Sequence, residues 1–269
     1  MNKNYLEILC CPLCKSSLYL EGDTEKTDTI LEGELSCQGC GKRFPVKKGI
    51  VRFIKMEELG KVERRFENFR RVFYSYIYEP FTRFEFIFCG GEKKARHECL
   101  DRLEIRPGSR ILETGIGTGS NLPYLTDSLD EGCFFGVDIS SSMLRNCRQN
   151  LKRWGCPAEI FLARAESLPF KDKTFDTVFH LGAINIFERK KQAIDEMIRV
   201  ARPGTKIVIA DETEEADKLR DKLLIPRLLG KREEVVPPIN LVPKTMTEIR
   251  LDTIWNGYGY CIEFRIPLS

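Results

Sequence analysis

No apolar run in this 269-residue sequence approaches the ~20 residues that a membrane-spanning helix needs. The start, Met1-Asn2-Lys3-Asn4-Tyr5, leads into only a short apolar stretch, so no signal peptide is expected and the expected location is cytoplasmic. There is no internal repeat and no low-complexity tract, which sets repeat arrays aside. An excess of one charge is also missing: 43 Lys and Arg stand against 40 Asp and Glu, a net charge of +3. That excludes a surface built throughout for nucleic acid and leaves room only for a local basic patch. A disulfide framework is excluded as well, because the 11 cysteines are odd in number and several stand alone in patterned segments. In a reducing compartment, clustered cysteines more often bind metal. The scattered ones, Cys89, Cys99, Cys133, Cys147, Cys156 and Cys261, are expected as buried small hydrophobes.

What is present is ordinary apolar content and a length that suggests one large or two modest domains. Three segments stand out. Residues 1–55 carry short β-type runs around 17–20, 34–36 and 50–53, a core too small to be stable without a staple. Residues 56–106 read as helices and connections, with a charged amphipathic stretch at 61–73 and a helix at 92–103. Between these lies an aromatic run of Tyr74, Tyr76, Tyr78, Phe81, Phe84, Phe86 and Phe88. Residues 107–269 alternate strand and helix. Strands are expected at 110–113, 134–138, 159–163, 174–181 and 206–210, with helices at 140–154 and 190–201. This order predicts an α/β fold, a doubly wound and mostly parallel seven-stranded sheet covered on both faces. Runs at 248–255 and 258–266 flank Asn256-Gly257, so the sheet should finish in an antiparallel hairpin.

The chemistry concentrates in the loop after the first of these strands, Glu113-Thr114-Gly115-Ile116-Gly117-Thr118-Gly119. Closely spaced glycines let backbone approach a ligand, because no Cβ stands in the way. Ligands of open α/β sheets bind at the carboxyl ends of the strands, near this crossover. A pyrophosphate fingerprint needs G-x-G-x-x-G, and here the third glycine falls one residue early. An acid just before the loop would repel a pyrophosphate but suits a ligand carrying an ammonium and a sulfonium. Asp138, at the end of the second strand, can accept hydrogen bonds from both hydroxyls of a ribose.

On these residues, residues 107–203 resemble the class I S-adenosylmethionine (SAM) methyltransferases, the broad group similar to the ubiquinone and menaquinone biosynthesis enzymes. The matching stretches are the glycine loop with Ile111 and Leu112, Phe135-Gly136-Val137-Asp138-Ile139-Ser140, Ala165-Glu166-Ser167-Leu168-Pro169-Phe170, Phe175-Asp176-Thr177-Val178, and Arg199-Val200-Ala201-Arg202-Pro203-Gly204. The resemblance implies that Glu113, Gly115, Gly117 and Gly119 hold the methionine part of SAM and that Asp138 holds its ribose. It places Ala165 and Glu166 beside the adenine and adds Ile139, Met143 and Leu181 to the cofactor contacts. Tyr78-Glu79 resembles the family's Tyr-Asp pair upstream of the fold, whose Tyr reaches the cofactor. Arg164 stands where the family often has Asp, so a backbone oxygen or Glu166 must accept from the adenine amino group.

Cys11-Pro12-Leu13-Cys14 and Cys37-Gln38-Gly39-Cys40 form two C-x-x-C knuckles. Each turns two thiolates toward one spot, and together Cys11, Cys14, Cys37 and Cys40 supply a tetrahedral shell that suits Zn²⁺. Four protein ligands leave no open position, so the metal should be structural and should support folding of this segment. Cys10 competes for ligation, but the spacing favours Cys11. The segment also resembles the small zinc-ribbon proteins that activate tRNA methyltransferases, through residues 6–14 and 44–50. Bacterial ribosomal-RNA guanine methyltransferases likewise carry a zinc ribbon before a SAM domain, but with a His in their last ligand pair.

Methyl transfer is an in-line displacement, so such a protein mainly aligns the acceptor and excludes water. A general base is needed only for a protonated acceptor. His180, near the end of the fourth strand, is the candidate base or substrate contact. Asn185, just after that strand, and Glu212, which with Asp211 ends the fifth, are the other catalytic candidates. His97 reads as structural. No Asn-Pro-Pro-Tyr signature of amide or exocyclic-amine methylation follows the fourth strand. The first expectation is a small or lipid-like acceptor under a lid made by the aromatic run. The alternative is RNA, delivered by the ribbon through Lys42, Arg43, Lys47 and Lys48 and the stripe Lys61, Arg64, Arg65, Arg70 and Arg71. A third reading, a non-catalytic ribbon partner module, conflicts with the intact loop.

Overall fold

The structure is a computed structural model that describes residues 1–22, 28–60, 64, 84–125, 134–222 and 235–268. Its centre is a set of strands buried on both faces, the mark of parallel pairing under helices. These are β5 (Ile111–Thr114), β6 (Phe134–Asp138), β7 (Glu159–Leu162), β8 (Thr177–Leu181) and β9 (Lys206–Glu212). β6 pairs in parallel with β5 and β7; β5 pairs with β8, and β8 with β9. β10 (Thr247–Ile254) and β11 (Gly259–Arg265) form the expected hairpin, and β11 lies antiparallel to β9. The hairpin turn takes Trp255 and Asn256 through φ 55°, a conformation that suits Asn.

Successive residues of these strands enter opposite cores, as period-2 geometry requires. Leu112, Phe135, Phe161, Val178 and Ile207 belong to one core, with Ala193, Ile194, Met197 and Val200 of the helix α3 (Lys190–Val200). Ile111, Phe134, Ile160, Phe179 and Val208 belong to the other, with Cys99 and Leu100 of α1 (Glu92–Leu100) and Leu144, Cys147 and Leu151 of α2 (Ser141–Trp154). The start of α2 is capped as its serines suggest: Ser140 Oγ accepts from the Met143 amide. A fourth helix, α4 (Glu214–Lys222), follows β9. Cys89, Cys99, Cys147, Cys156 and Cys261 are buried, while Cys133 lies outside the described residues.

The seven expected strands, β5 to β11, are present, and the four ribbon strands, expected as a separate unit, extend the same sheet to eleven among the described residues. The ribbon strands β1 (Leu18–Leu20), β2 (Glu32–Cys37), β3 (Arg43–Lys47) and β4 (Ile50–Arg52) form an antiparallel meander. β4 then joins β7 in parallel, Val51 opposite Phe161 and Arg52 opposite Leu162. The physical reason is the edge. Without β4, β7 would leave an unpaired row of backbone groups beside three buried apolar residues. β3 escapes a reading of the sequence because Pro45 sits in its middle. It is tolerated because β4 pairs only with Val46 and Lys47, leaving Pro45 opposed on one side alone.

Aromatic rings cross this seam. Phe44 meets Phe53 at 5.0 Å, Phe53 meets Phe161 at 6.4 Å, Phe161 meets Phe170 at 5.4 Å and Phe170 meets Phe175 at 4.8 Å, mostly tilted or edge to face. Leu9, Cys11, Phe44 and Val46 of the ribbon therefore share a core with Leu112 and Phe135 of the sheet. Truncation of Phe170, which is fully buried, should cost about 3–5 kcal/mol. Because the core is shared, Phe170→Ala should lower the urea midpoints of sheet fluorescence and of ribbon thiol exposure together. Separate transitions for the two probes would show that the seam does not couple them.

Candidate cofactor site and metal centre

The glycine loop leaves β5 with Gly115, Gly117 and Gly119 all at positive φ. Two of these glycines are also forced by contact. A Cβ on Gly115 would lie 2.9 Å from His180 Cε1, and one on Gly119 would lie 2.9 Å from Cys147 Sγ. The amides of Gly115 and Ile116 both donate to Val137 O, at 2.7 and 3.0 Å, which folds the loop over the end of β6. There Asp138 completes the frame. Its Oδ2 accepts from the Gly117 amide and its Oδ1 from the Ser140 amide, both at 2.8 Å. The loop thus stands where strand order reverses, with β6 and β7 on one side of β5 and β8 on the other.

Glu113 is the electrostatic centre of this region. It is fully buried; Oε1 accepts from Asn121 Nδ2 at 2.6 Å, and Oε2 has no protein partner. Burial pushes its carboxyl up to about 8, against the opposing pull of the Asn121 hydrogen bond and the Arg96 charge. Arg96, on α1, also donates to Asn121 Oδ1 and lies over the rings of Phe86 and Tyr124 at 5.0 and 5.6 Å. A line of polar contacts therefore runs from the aromatic connector to the loop acid. Neither Arg96 nor Asn121 was singled out from the sequence. Asn121, two residues past Gly119, was the available signal.

The other expected cofactor residues fall around the same strand ends. Ile139 and Met143 open the segment after β6, with Met143 buried in the first turn of α2. Ala165 and Glu166 are buried in a 3₁₀ turn, Ala165–Ser167, after β7. Leu181 ends β8. Tyr78 lies outside the described residues, as do Tyr74, Tyr76, Phe81, Lys61, Arg65, Arg70 and Arg71.

His180 is fully buried against Gly115, edge-on to Phe187 at 5.1 Å. Its Nδ1 donates to Thr114 O at 2.6 Å, which fixes the tautomer and leaves Nε2 as an unpartnered acceptor. Burial draws its pKa down to about 4, so the ring is neutral near pH 7. Asn185 is tied at both ends of its amide: Nδ2 donates to Glu212 O at 2.8 Å and Oδ1 accepts from the Tyr260 hydroxyl at 2.7 Å. Asp211 accepts from the amides of Asn185 and Glu212 at 2.7 and 2.8 Å, and burial pushes it up to about 6. These contacts fasten the loop after β8 to the ends of β9 and β11. Asp211 and Tyr260 are part of that fastening, and sequence reasoning gave neither a role in it. The tyrosine is distant in sequence and carries no motif.

The two knuckles converge at the far end of the ribbon. The Sγ atoms of Cys11, Cys14, Cys37 and Cys40 all lie within 4.8 Å of one another. Cys11 and Cys40 are 3.7 Å apart, and Cys14 and Cys37 are 3.3 Å apart. Tetrahedral Zn–S bonds of about 2.3 Å place sulfurs about 3.8 Å apart, so the donor set fits zinc. The turns match: Lys15 N donates to Cys11 O at 2.9 Å, and Gly41 N to Cys37 O at 3.1 Å. Hydrogen bonds from Ser16 draw the Cys14 thiol down to about 6, toward the thiolate a metal takes. Cys10 is buried outside the cluster, and its amide donates to Pro169 O at 3.0 Å. Two of the basic residues nearby are paired with carboxylates. Lys42 meets Glu58 at 3.2 Å, and Arg43 meets Glu21 and Glu34 at 3.5 Å each. Arg64 donates to the carbonyls of Glu57 and Leu59.

Residues 111–204 match the methyltransferase domain family, and residues 3–49 match the Trm112p-like protein family. The chain is 32% identical over 127 residues to the "Putative methyltransferase YrhH" of Bacillus subtilis, covering 47% of this chain and 70% of that protein. It is 29% identical over 136 residues to the phosphatidylethanolamine N-methyltransferase of Cereibacter sphaeroides, covering 50% of this chain and 65% of that one. Among solved structures, the complex between the Haloferax volcanii Trm112 methyltransferase activator and the putative methyltransferase contains a similar chain. Its TM-score is 0.53 at 16% identity, over 65% of this chain and 89% of that one, a likeness of fold. The chain belongs to the SAM-dependent methyltransferases. It has their class I fold, with a Trm112-like zinc ribbon ahead of it.

The site residues fit SAM. A buried carboxylate with an open oxygen suits its ammonium, and glycines clear the backbone beside it. The raised carboxyl sets a pH dependence. Protonated Glu113 favours the unliganded fold fully below its ordinary 4.5, and that contribution is lost as pH rises through about 8. Unliganded wild type should therefore lose stability across this window, and Glu113→Gln should flatten the loss, as read by urea midpoints. A cation at Oε2 reverses the preference. SAM affinity should rise from about pH 6 to about pH 7.5 with proton release, and lose that slope in Glu113→Gln, by calorimetry.

The metal centre gives a separate expectation. Chelation, or Cys37→Ser, should release zinc by mass spectrometry and lower thermal stability, because binding free energy of the metal is folding free energy of the ribbon. Stability indifferent to metal content would contradict a structural role.

Proposed function

We propose that this protein transfers the methyl group of SAM to a small or lipid-like acceptor. The observation that carries the cofactor half is Glu113: a fully buried carboxylate with one unpartnered oxygen, at the lip of a glycine loop. In this reading Glu113 Oε2 accepts from the cofactor's ammonium and Asp138 from its ribose hydroxyls. Ala165 and Glu166 border the adenine, with Ile139, Met143 and Leu181 as apolar walls. SAM supplies an electrophilic sulfonium methyl. The chain itself orients and encloses. The contacts of Asp211, Asn185 and Tyr260 hold the loop after β8, where an acceptor would approach. His180 and Glu212 remain the candidates for substrate contact or proton transfer. A buried neutral His180 with a free Nε2 lone pair suits accepting a hydrogen bond more than carrying charge.

The acceptor half rests on similarity and on charge. One relative is by name a phosphatidylethanolamine N-methyltransferase. Of the basic side chains beside the second knuckle, Lys42 and Arg43 face carboxylates, which weakens an RNA reading. Among the described residues, no helix is long and apolar enough to cross a membrane. The Trm112-like segment covers β7 within the same chain, so this enzyme would carry its own ribbon where the Haloferax complex has a separate activator.

Incubation with methyl-labelled SAM, phosphatidylethanolamine vesicles, a quinol and total RNA tests both halves. Label should appear in the lipid or quinol fraction, and Asp138→Ala should abolish SAM binding. Label confined to RNA, with steep salt dependence, would overturn the acceptor assignment. SAM binding indifferent to Asp138→Ala would overturn the cofactor site.

A further inference from the structure

The two zinc knuckles end differently. Each closes on a residue in the left-handed region, Gly41 at φ 68° in one and Lys15 at φ 60° in the other. Glycine is the ordinary occupant of that conformation, and a side chain there is strained. Lys15 is kept nonetheless, and its ammonium leaves the ribbon. Lys15 Nζ donates to Glu196 Oε2 on α3 at 2.8 Å and to Leu168 O at 3.3 Å. Glu196 Oε2 also accepts from the Leu168 amide at 2.7 Å. Arg199, one turn further along α3, donates to Leu168 O at 3.1 Å and to Phe170 O at 2.7 Å. Both backbone groups of Leu168 are thus held by one half-buried cluster of three charged side chains. Leu168 directly follows the turn Ala165–Ser167. The same loop is gripped from its other end by the ribbon's exit, where Phe53 N donates to Leu162 O and Arg164 to Glu58 O, both at 2.8 Å.

We propose that Lys15 is a positioning residue for the adenine end of the cofactor, carrying the set of the zinc knuckle through Glu196 and Leu168 to the turn that holds Ala165 and Glu166. The proposal rests on the cofactor reading above. It assigns the ribbon a part in cofactor affinity beyond covering a strand edge, and it names the contact through which that part is played. The knuckle fixes the backbone of Lys15; the lysine, together with Arg199, which donates to Glu196 Oε1 and Oε2 at 2.7 and 2.8 Å, fixes Glu196 and the Leu168 carbonyl, and these set the depth of the turn. Coupling of this kind is local and contiguous, so its loss should weaken binding moderately.

The test uses the full-length, zinc-loaded protein, titrated calorimetrically with S-adenosylhomocysteine, together with amide exchange across residues 163–170. Lys15→Met should weaken binding about threefold to thirtyfold, speed exchange in that loop and leave zinc content unchanged. Lys15→Arg, which can still reach both acceptors, should restore most of the affinity. Wild-type affinity and exchange in Lys15→Met would overturn the proposal alone. Failure of wild type to bind would instead remove the cofactor reading, and this inference with it. Should Lys15→Met lose its zinc or fail to fold, Glu196→Gln breaks the same bridge from the sheet side. The same affinity loss there supports the proposal, and unchanged affinity overturns it.

Discussion

A parallel sheet cannot end on a bare apolar strand, and this molecule is organised around that constraint. β7 is buried on both faces yet sits at the end of the methyltransferase strand order, where its outer backbone groups would face water unpaired. The two-residue pairing with β4 answers this need. Around it collect the shared aromatic core, the Cys10 and Phe53 backbone contacts, and the charged cluster at Leu168. Little of the ribbon could be moved without exposing the strand that carries the cofactor loop's neighbour. The strand pairing and the contacts around it thus join a segment too small to fold unaided to a domain with an open edge.

The site follows a second physical theme, charge kept poor in partners. Glu113 and His180 are each buried, each keep one polar atom without a protein partner, and are each shifted toward neutrality by burial. They line the ends of β5 and β8, where a polar ligand with a formal positive charge would meet an already desolvated wall. The enzyme spends stability there to have acceptors ready. A half-made hydrogen-bond set of this kind is costly in a core and sensible in a binding site.

Much of this was legible in the sequence. Buried strands read as unbroken apolar runs, the Asn256-Gly257 hairpin follows from left-handed turn chemistry, and the Ser140 cap follows from the local hydroxyl. The glycine loop was readable because its spacing and its acids are local. The joining of ribbon and sheet was not, because parallel pairing between Val51 and Phe161 leaves no mark on either segment. β3 was hidden by Pro45. The partners of Asn185 were hidden for the same reason as the seam: Tyr260 and Asp211 reach it from strands far along the chain. Nothing in the sequence marks Lys15, because its backbone angle and its acceptors are set by the fold.

The seam also has a consequence for synthesis. The ribbon leaves the ribosome first, but the strand that completes it follows only about 100 residues later. At about 5–20 residues per second this is a delay of about 5–20 s. Throughout that interval the nascent β4 edge is uncovered, and the ribbon has only its own antiparallel pairing and its metal site to hold it. The segment that is made first is thus the one that waits longest for its neighbour.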